Sequence, residues 1–352
     1  MSSTQTKNIK KRVVVICPGR GTYNKEELGY LKRLHADKTE LVEVIDDYRT
    51  GQGQKSISEL DGMDKYSMRL HTAGENASAL IYACAAADYQ AINRDEYDIV
   101  AVTGNSMGWY IALAVAGALK AYGAIELINT MGSMMTAGVV GGQLIYPVVD
   151  DNWQLEPQLL QQIDNLLKEL NQQPEVEVYI SIKLGGYLVF GGNKAGLKAL
   201  EQVLPVKQDR YPMNLFNHAA FHTPLLTETS NQAKQLLGAQ LFQSPKLPII
   251  DGMGQIWQPY STDVNKLYDY TLGHQVTDYY DFSKAVEVAI KEFNPDKLII
   301  LGPGSTLGGA IGQVLLQHNW LGLQTKADFI QRQKTDPFLL AMGITQQRTM
   351  VV

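Results

Sequence analysis

The run Gly104-Asn105-Ser106-Met107-Gly108 has the residue types of a nucleophile held on a tight turn. It follows an apolar stretch, residues 99–103, that reads as a buried strand, and it precedes a helix-forming run, residues 110–119. In that setting the turn lifts the serine hydroxyl above a sheet. Glycine is needed at either flank because a side chain there would collide with neighbouring backbone. A helix starting at the serine directs its positive end and first N–H groups at a reacting carbonyl, where they stabilise an oxyanion. The bland alternative is a glycine-rich packing turn with an incidental serine.

A serine nucleophile needs a base to take its proton. Of the six histidines, His35, His71 and His318 carry no motif and read as surface or packing residues. His218 and His222 are four residues apart, which on a helix suits zinc, but Pro224 follows closely and no carboxylate follows His218. Phe221-His222-Thr223-Pro224 places His222 beside the cleft between the two patterns described next, and makes it the expected base.

The elements that must position these groups form two patterns. Residues 13–17, 75–92 and 99–103 read as strand, alanine-rich helix and strand, and residues 247–250, 285–293 and 298–301 resume that rhythm. This is the signature of an α/β layer with a mostly parallel sheet and helices on both faces. Between them lie strand 143–149, helix 156–170, strands 176–183 and 187–191, helix 194–204 and a last strand near 210–215. That β-α-β-β-α-β order is ferredoxin-like. The expected organisation is a large hydrolase-like domain, 1–139 and 217–352, with a small inserted domain, 140–216, and a ligand cleft between them. Residues 51–55 read as a flexible loop, and the chain after residue 345 as a mobile tail.

Composition narrows the function. The 352 residues are 45% hydrophobic, enough for a sizeable core, and Lys+Arg 31 against Asp+Glu 36 leaves no field to hold a nucleic-acid backbone. The apolar runs are too short for a signal-peptide core or a membrane span, which predicts a cytoplasmic protein without nucleic-acid or membrane partners. Cys17 and Cys84, both among apolar neighbours, read as buried thiols and cannot form a metal site alone.

Pro18-Gly19-Arg20-Gly21, the Ser106 turn, Phe221-His222-Thr223-Pro224 and Gly302-Pro303-Gly304-Ser305 together resemble the malonyl-CoA:acyl-carrier-protein transacylase family, with the acyltransferase domains of polyketide and fatty-acid synthases. The four motifs run in the family's order from about residue 13 to residue 315. The resemblance implies Ser106 as nucleophile and His222 as base, steadied by the main-chain carbonyl of Gln275, whose side chain is then a weak requirement. It also implies an oxyanion hole from the N–H groups of Met107 and Arg20. The substrates it implies are an acyl-CoA and a phosphopantetheinylated acyl carrier protein, with no permanently bound cofactor.

The chain also departs from the family's pattern. Asn105 and Trp109 stand where the elbow usually has histidine and glutamate, and Arg20 stands where glutamine is usual. They and Met131 are therefore candidate substrate contacts. Met131 occupies the place, twenty-five residues past Ser106, of the arginine that pairs with the malonyl carboxylate. Either the acyl group is uncharged, which is the favoured expectation, or Arg20 supplies the cation from across the pocket. The predicted function is a serine acyltransferase, with a thioester hydrolase or a non-catalytic carrier-binding module as alternatives. Lys194, Lys198, Lys207 and Arg210 are candidate contacts for an acidic carrier protein, or simply a solvated face.

Overall fold

The computed structural model describes residues 9–120, 122–134 and 138–352, so parts of the expected segment 1–139 lie outside the described residues. Strand β1 (Lys11–Cys17) buries Val13, Val14, Val15, Ile16 and Cys17 completely, as a strand covered on both faces must. Helix α1 (Gly74–Ala91) is buried along most of its length because its alanines let neighbouring helices pack closely around it. It leads into β2 (Tyr97–Gly104), which pairs parallel with β1. Beyond the Ser106 turn come α2 (Gly108–Val115) and α3 (Gly123–Ser133).

The chain then builds β3 (Gly142–Pro147), α4 (Pro157–Leu170), β4 (Val178–Leu184), β5 (Tyr187–Gly192), α5 (Lys194–Val203) and β6 (Met213–Leu215). It returns through β7 (Ile249–Ile250), β8 (Ile256–Trp257), β9 (Tyr280–Asp281), α6 (Phe282–Phe293), β10 (Lys297–Ile300), α7 (Leu307–Gln317) and β11 (Leu339–Ala341).

The larger sheet has the order β11-β10-β1-β2-β7-β8, parallel except for the edge strand β8. The second sheet has the order β6-β3-β5-β4-β9, and its first four strands are the antiparallel ferredoxin-like arrangement. A separate apolar cluster, including Leu144, Tyr146, Ile163 and Phe190, fills the space between that sheet and its two helices. The fold class read from the sequence is therefore the observed one.

The sequence gives no warning that β9, from outside the inserted segment, joins this sheet parallel to β4, with Ile182 opposite Tyr280. The insert is thus stitched to the frame by backbone pairing.

Other expectations need correction. Residues beyond 345 are not a loose tail: Arg348 Nη1 donates to Asp88 at 2.5 Å, Asn93 N–H donates to the Val351 carbonyl, and Val351 is fully buried. Residues 51–55 form a tied turn, with Arg49 Nε donating to the Lys55 carbonyl at 2.7 Å. The strand expected near 210–215 is confined to β6, because Tyr211-Pro212 occupies the approach to it. Both cysteines are fully buried, and burial raises their thiols well above the usual range, which makes them inert packing groups.

Candidate active site

Ser106 sits between the end of β2 and the start of α2 with φ 56°, in the left-handed region. The flanking glycines explain how the backbone reaches that conformation. A Cβ on Gly104 would lie 2.2 Å from the Gly108 carbonyl oxygen, and one on Gly108 would lie 2.4 Å from that of Cys17. Only glycine fits at either position. The turn is locked by Gly108 N–H donating to the Asn105 carbonyl at 2.8 Å and by Tyr280 Oη donating to the Gly104 carbonyl at 2.6 Å.

His222 lies 116 residues away in sequence, yet its Nε2 is 2.7 Å from Ser106 Oγ. Its Nδ1 is 2.6 Å from the Gln275 carbonyl oxygen. A carbonyl can only accept, so Nδ1 carries the proton and Nε2 is left to accept from the serine hydroxyl. Gln275 opens the last helical turn of its segment, just after the π-helical turn Tyr270–His274. Carbonyls in a last turn lack an intrahelical partner, which leaves this one for the imidazole. Burial pushes His222 down to about 4, against the opposing effect of the Gln275 bond and with a further lowering from His274. The imidazole is therefore neutral near pH 7, the state a base requires.

Sequence reasoning missed several supporting groups. The Gln275 side chain accepts from Tyr110 Oη at 2.7 Å and donates to the Ser106 carbonyl at 3.2 Å, so it ties the helix end to the elbow. Ser181 on β4 donates to the Phe221 carbonyl at 2.7 Å and accepts from Gln143 Nε2 at 2.6 Å. His218 Nδ1 is 2.8 Å from Gln143 Oε1, so this histidine belongs to that network. Burial, with the Arg20 charge beside it, lowers His218 to about 3. Tyr280 packs its ring 5.4 Å from that of His222. The only hint of these in sequence was a polar serine among the apolar residues of a strand.

Ser106, His222, Met131, Arg20, Leu226 and Val276 line a common cavity of about 50 Å³. Met131 reaches it from α3, the second helix after the elbow, and not from the helix that begins there. Met107, 6% exposed, also lines it. A groove of about 540 Å³ runs from Ser106 between the large sheet's loops and the inserted sheet, past Asn105, Tyr187 and Arg210. Asn105 Oδ1 is buried there without a hydrogen-bond partner.

Trp109 is a correction: it is fully buried, donates through Nε1 to Thr271 Oγ1 at 3.1 Å and packs edge-on to Tyr270. Its position one residue after the last elbow glycine turns it into the core, away from the cavity. Among the carrier candidates, Lys207 is paired with Glu156 at 2.7 Å and Arg210 stacks on Tyr211. Lys194 and Lys198 flank a surface hollow together with Glu201. His35 and His71 are buried packing residues, and His318 is half-buried. No group of three or more potential ligands for a metal occurs among the described residues, and no described helix is long and apolar enough to cross a membrane.

A hydrolase-like α/β frame with a ferredoxin-like insert, and a serine–histidine pair where the two meet, defines the class of protein. The fold is that of the malonyl-CoA:acyl-carrier-protein transacylases. The chain superposes on the enzyme of that name from Synechocystis sp. PCC 6803 with a TM-score of 0.72 and 18% identity, over 97% of this chain and 100% of the other. It superposes similarly, at TM-score 0.71 and 18% identity over 97% and 99% of the chains, on a malonyl-transacylase solved in complex with its type II polyketide-synthase acyl-carrier protein. In sequence it is 23% identical over 171 residues to the malonyl CoA-acyl carrier protein transacylase of Buchnera aphidicola subsp. Schizaphis graminum. That alignment spans 47% of this chain and about half, 51%, of the relative. No family profile matches the chain.

Proposed function

We propose that this protein is a serine acyltransferase that moves a short acyl group from a CoA thioester to the phosphopantetheine thiol of an acyl carrier protein. The observation that carries the reading is the line from Ser106 Oγ through His222 to the Gln275 carbonyl, closed by contacts of 2.7 and 2.6 Å. His222 Nε2 takes the serine proton as Oγ bonds to the thioester carbonyl carbon. The carbon–sulfur bond then breaks, and the same proton passes to the departing CoA sulfur. The second half-reaction runs in reverse with the carrier thiol as nucleophile. The amides of Met107 and Arg20 hold the oxyanion between them, helped by the start of α2.

The size of the cavity supports a short acyl group: about 50 Å³ holds only a handful of water-sized volumes. The groove past Asn105 and Arg210 is the path for the pantetheine arm, and the exposed Arg210 along it suits an acidic carrier. The proposed reaction needs no permanently bound cofactor, and an acyl-CoA substrate is consistent with a cytoplasmic protein.

Intact-mass measurement after incubation with a panel of acyl-CoAs tests the reading. A single acyl adduct forms on the wild type, is absent from Ser106→Ala, and is discharged on adding holo-carrier protein. Discharge to water at the same rate without carrier would make it a hydrolase. No adduct and no turnover would leave a binding module.

A further inference from the structure

We infer that the Arg20 side chain sets the length of the acyl group the site accepts: it walls the cavity at Ser106 off from a second, larger hollow that would otherwise take a longer alkyl chain. The inference rests on the serine-acyltransferase reading and concerns chain length at the same site.

Two spaces meet at this one side chain. The inner cavity beside Ser106 and His222 measures about 50 Å³, and an outer hollow of about 520 Å³ lies beside Tyr66, Met68 and Phe216. Among the described residues Arg20 alone lines both. On α1 the boundary falls between neighbours, since Ser78 lines the cavity and Ala77 the hollow. The guanidinium lies across that boundary: Nη2 donates at 3.1 Å to the carbonyl of Thr72, which lines the hollow, and its carbon is 5.5 Å from the ring centre of Phe221, which lines the cavity. Thr72 is held in turn, because its hydroxyl accepts from Asn217 Nδ2 at 2.9 Å.

An acyl chain on Ser106 fills so small a cavity after a few carbons. On the other walls Ile128, Leu226 and Val276 are at most 4% exposed and are backed by packed side chains, so lengthening in those directions forces overpacking. Behind Arg20 the space is already open, and Ala77, Ile81, Leu215 and Phe216 give it apolar lining. The bar to using it is the side chain itself. An alkyl chain pushed past it would break the bond to Thr72, lose the stacking on Phe221 and press methylenes against a charged group that needs water or an acceptor. Cutting the side chain back to Cβ merges the two spaces.

The test is the initial rate of adduct formation on Ser106, followed by intact mass, with acetyl-, butyryl-, hexanoyl- and octanoyl-CoA offered one at a time. Rates are compared within each protein, so a variant with slower chemistry still yields a profile. The wild type is expected to lose at least about tenfold between acetyl-CoA and octanoyl-CoA, as a pocket that cannot fit added methylenes should. Arg20→Ala should level that profile to within about threefold. Arg20→Met, which keeps length without charge, should stay as selective as the wild type. In the double variant Arg20→Ala/Ala77→Leu, a side chain refills the start of the hollow and the loss with octanoyl-CoA should return. A wild type that takes octanoyl-CoA as fast as acetyl-CoA overturns the inference without any variant. So does a profile unchanged in Arg20→Ala, or one levelled equally by Arg20→Met, which would make charge and not bulk the barrier. A double variant as permissive as Arg20→Ala would send the chain elsewhere and overturn it too. Absence of any adduct from every acyl-CoA would instead remove the acyltransferase reading itself, and the inference with it.

Discussion

A serine hydroxyl is a poor nucleophile at its own pKa, so in the proposed reaction the weight of the chemistry falls on His222. His222→Ala is expected to slow acylation of Ser106 by about 100-fold to 10,000-fold, the range for a positioned general base. If His218→Ala, which alters only the network behind it, proved the more damaging, the base would be misassigned.

The acid side of the rate profile follows from the same burial. His222 is held down to about 4, so the acylation rate should be nearly constant from pH 7 to pH 5 and fall only as the pH drops through about 4. A limb centred near 6.5 would show an imidazole in an ordinary aqueous setting. Stability moves in the same sense. Between pH 6.5 and 4 the unfolded chain binds a proton at His222 and the folded chain does not, so stability rises with pH there. As the pH is lowered through that window, this one group costs up to about 1.4 kcal/mol per pH unit. Urea unfolding at pH 5 and pH 7 should show a smaller difference for His222→Ala than for the wild type.

At the scale of the element, the elbow depends on backbone approaching backbone. Gly108→Ala would drive a methyl against the Cys17 carbonyl, 2.4 Å away, where the atoms in contact are backbone and cannot rotate aside. The expected loss is about 3 kcal/mol or more in urea unfolding, at the upper end for a single substitution. A change under about 1 kcal/mol would mean that β1 and α2 can separate freely. Gln275→Ala leaves the carbonyl that holds His222, but removes the acceptor of Tyr110 Oη and the donor to the Ser106 carbonyl. It should cost about 1–3 kcal/mol of stability, since a buried hydroxyl loses its partner. Its rate loss should stay at least about tenfold smaller than that of His222→Ala. Equal losses would assign the orienting role to the side chain.

Across the whole molecule, the chain's end is fastened to its middle. Asp88 of α1 accepts from Arg348 Nη1, His35 Nε2, Tyr30 Oη and the Gly302 amide at 2.5 to 2.9 Å, and its side chain is fully buried. Gly302 opens the loop after β10, so this cluster binds the last turn, the first helices and the large sheet into one unit. Arg348→Ala would leave a buried carboxylate short of its strongest partner. The expected destabilisation is about 3–5 kcal/mol by urea unfolding, and a near-zero change would restore the picture of a loose tail.

What the sequence determined by itself was whatever short spacing encodes. Runs such as Val13 to Cys17, too apolar for any place but a covered strand, and the β-α-β-β-α-β order of the middle segment made both layers readable. The glycines around Ser106 made its turn readable because their requirement is local and steric. Resemblance of short motifs then singled out His222 and Gln275, which the fold brings within hydrogen-bond reach of one another and of Ser106. Only the tertiary structure decided the direction of side chains at those motifs and the contacts made across long separations. Trp109 turns into the core, Arg20 turns into the cavity, Tyr280 carries a strand into the inserted sheet, and Arg348 closes on Asp88. Each of these follows from which residues, distant in the chain, compete for the same buried space. That competition leaves no trace in local periodicity, because a side chain's environment is supplied by elements that its own neighbours in sequence do not specify.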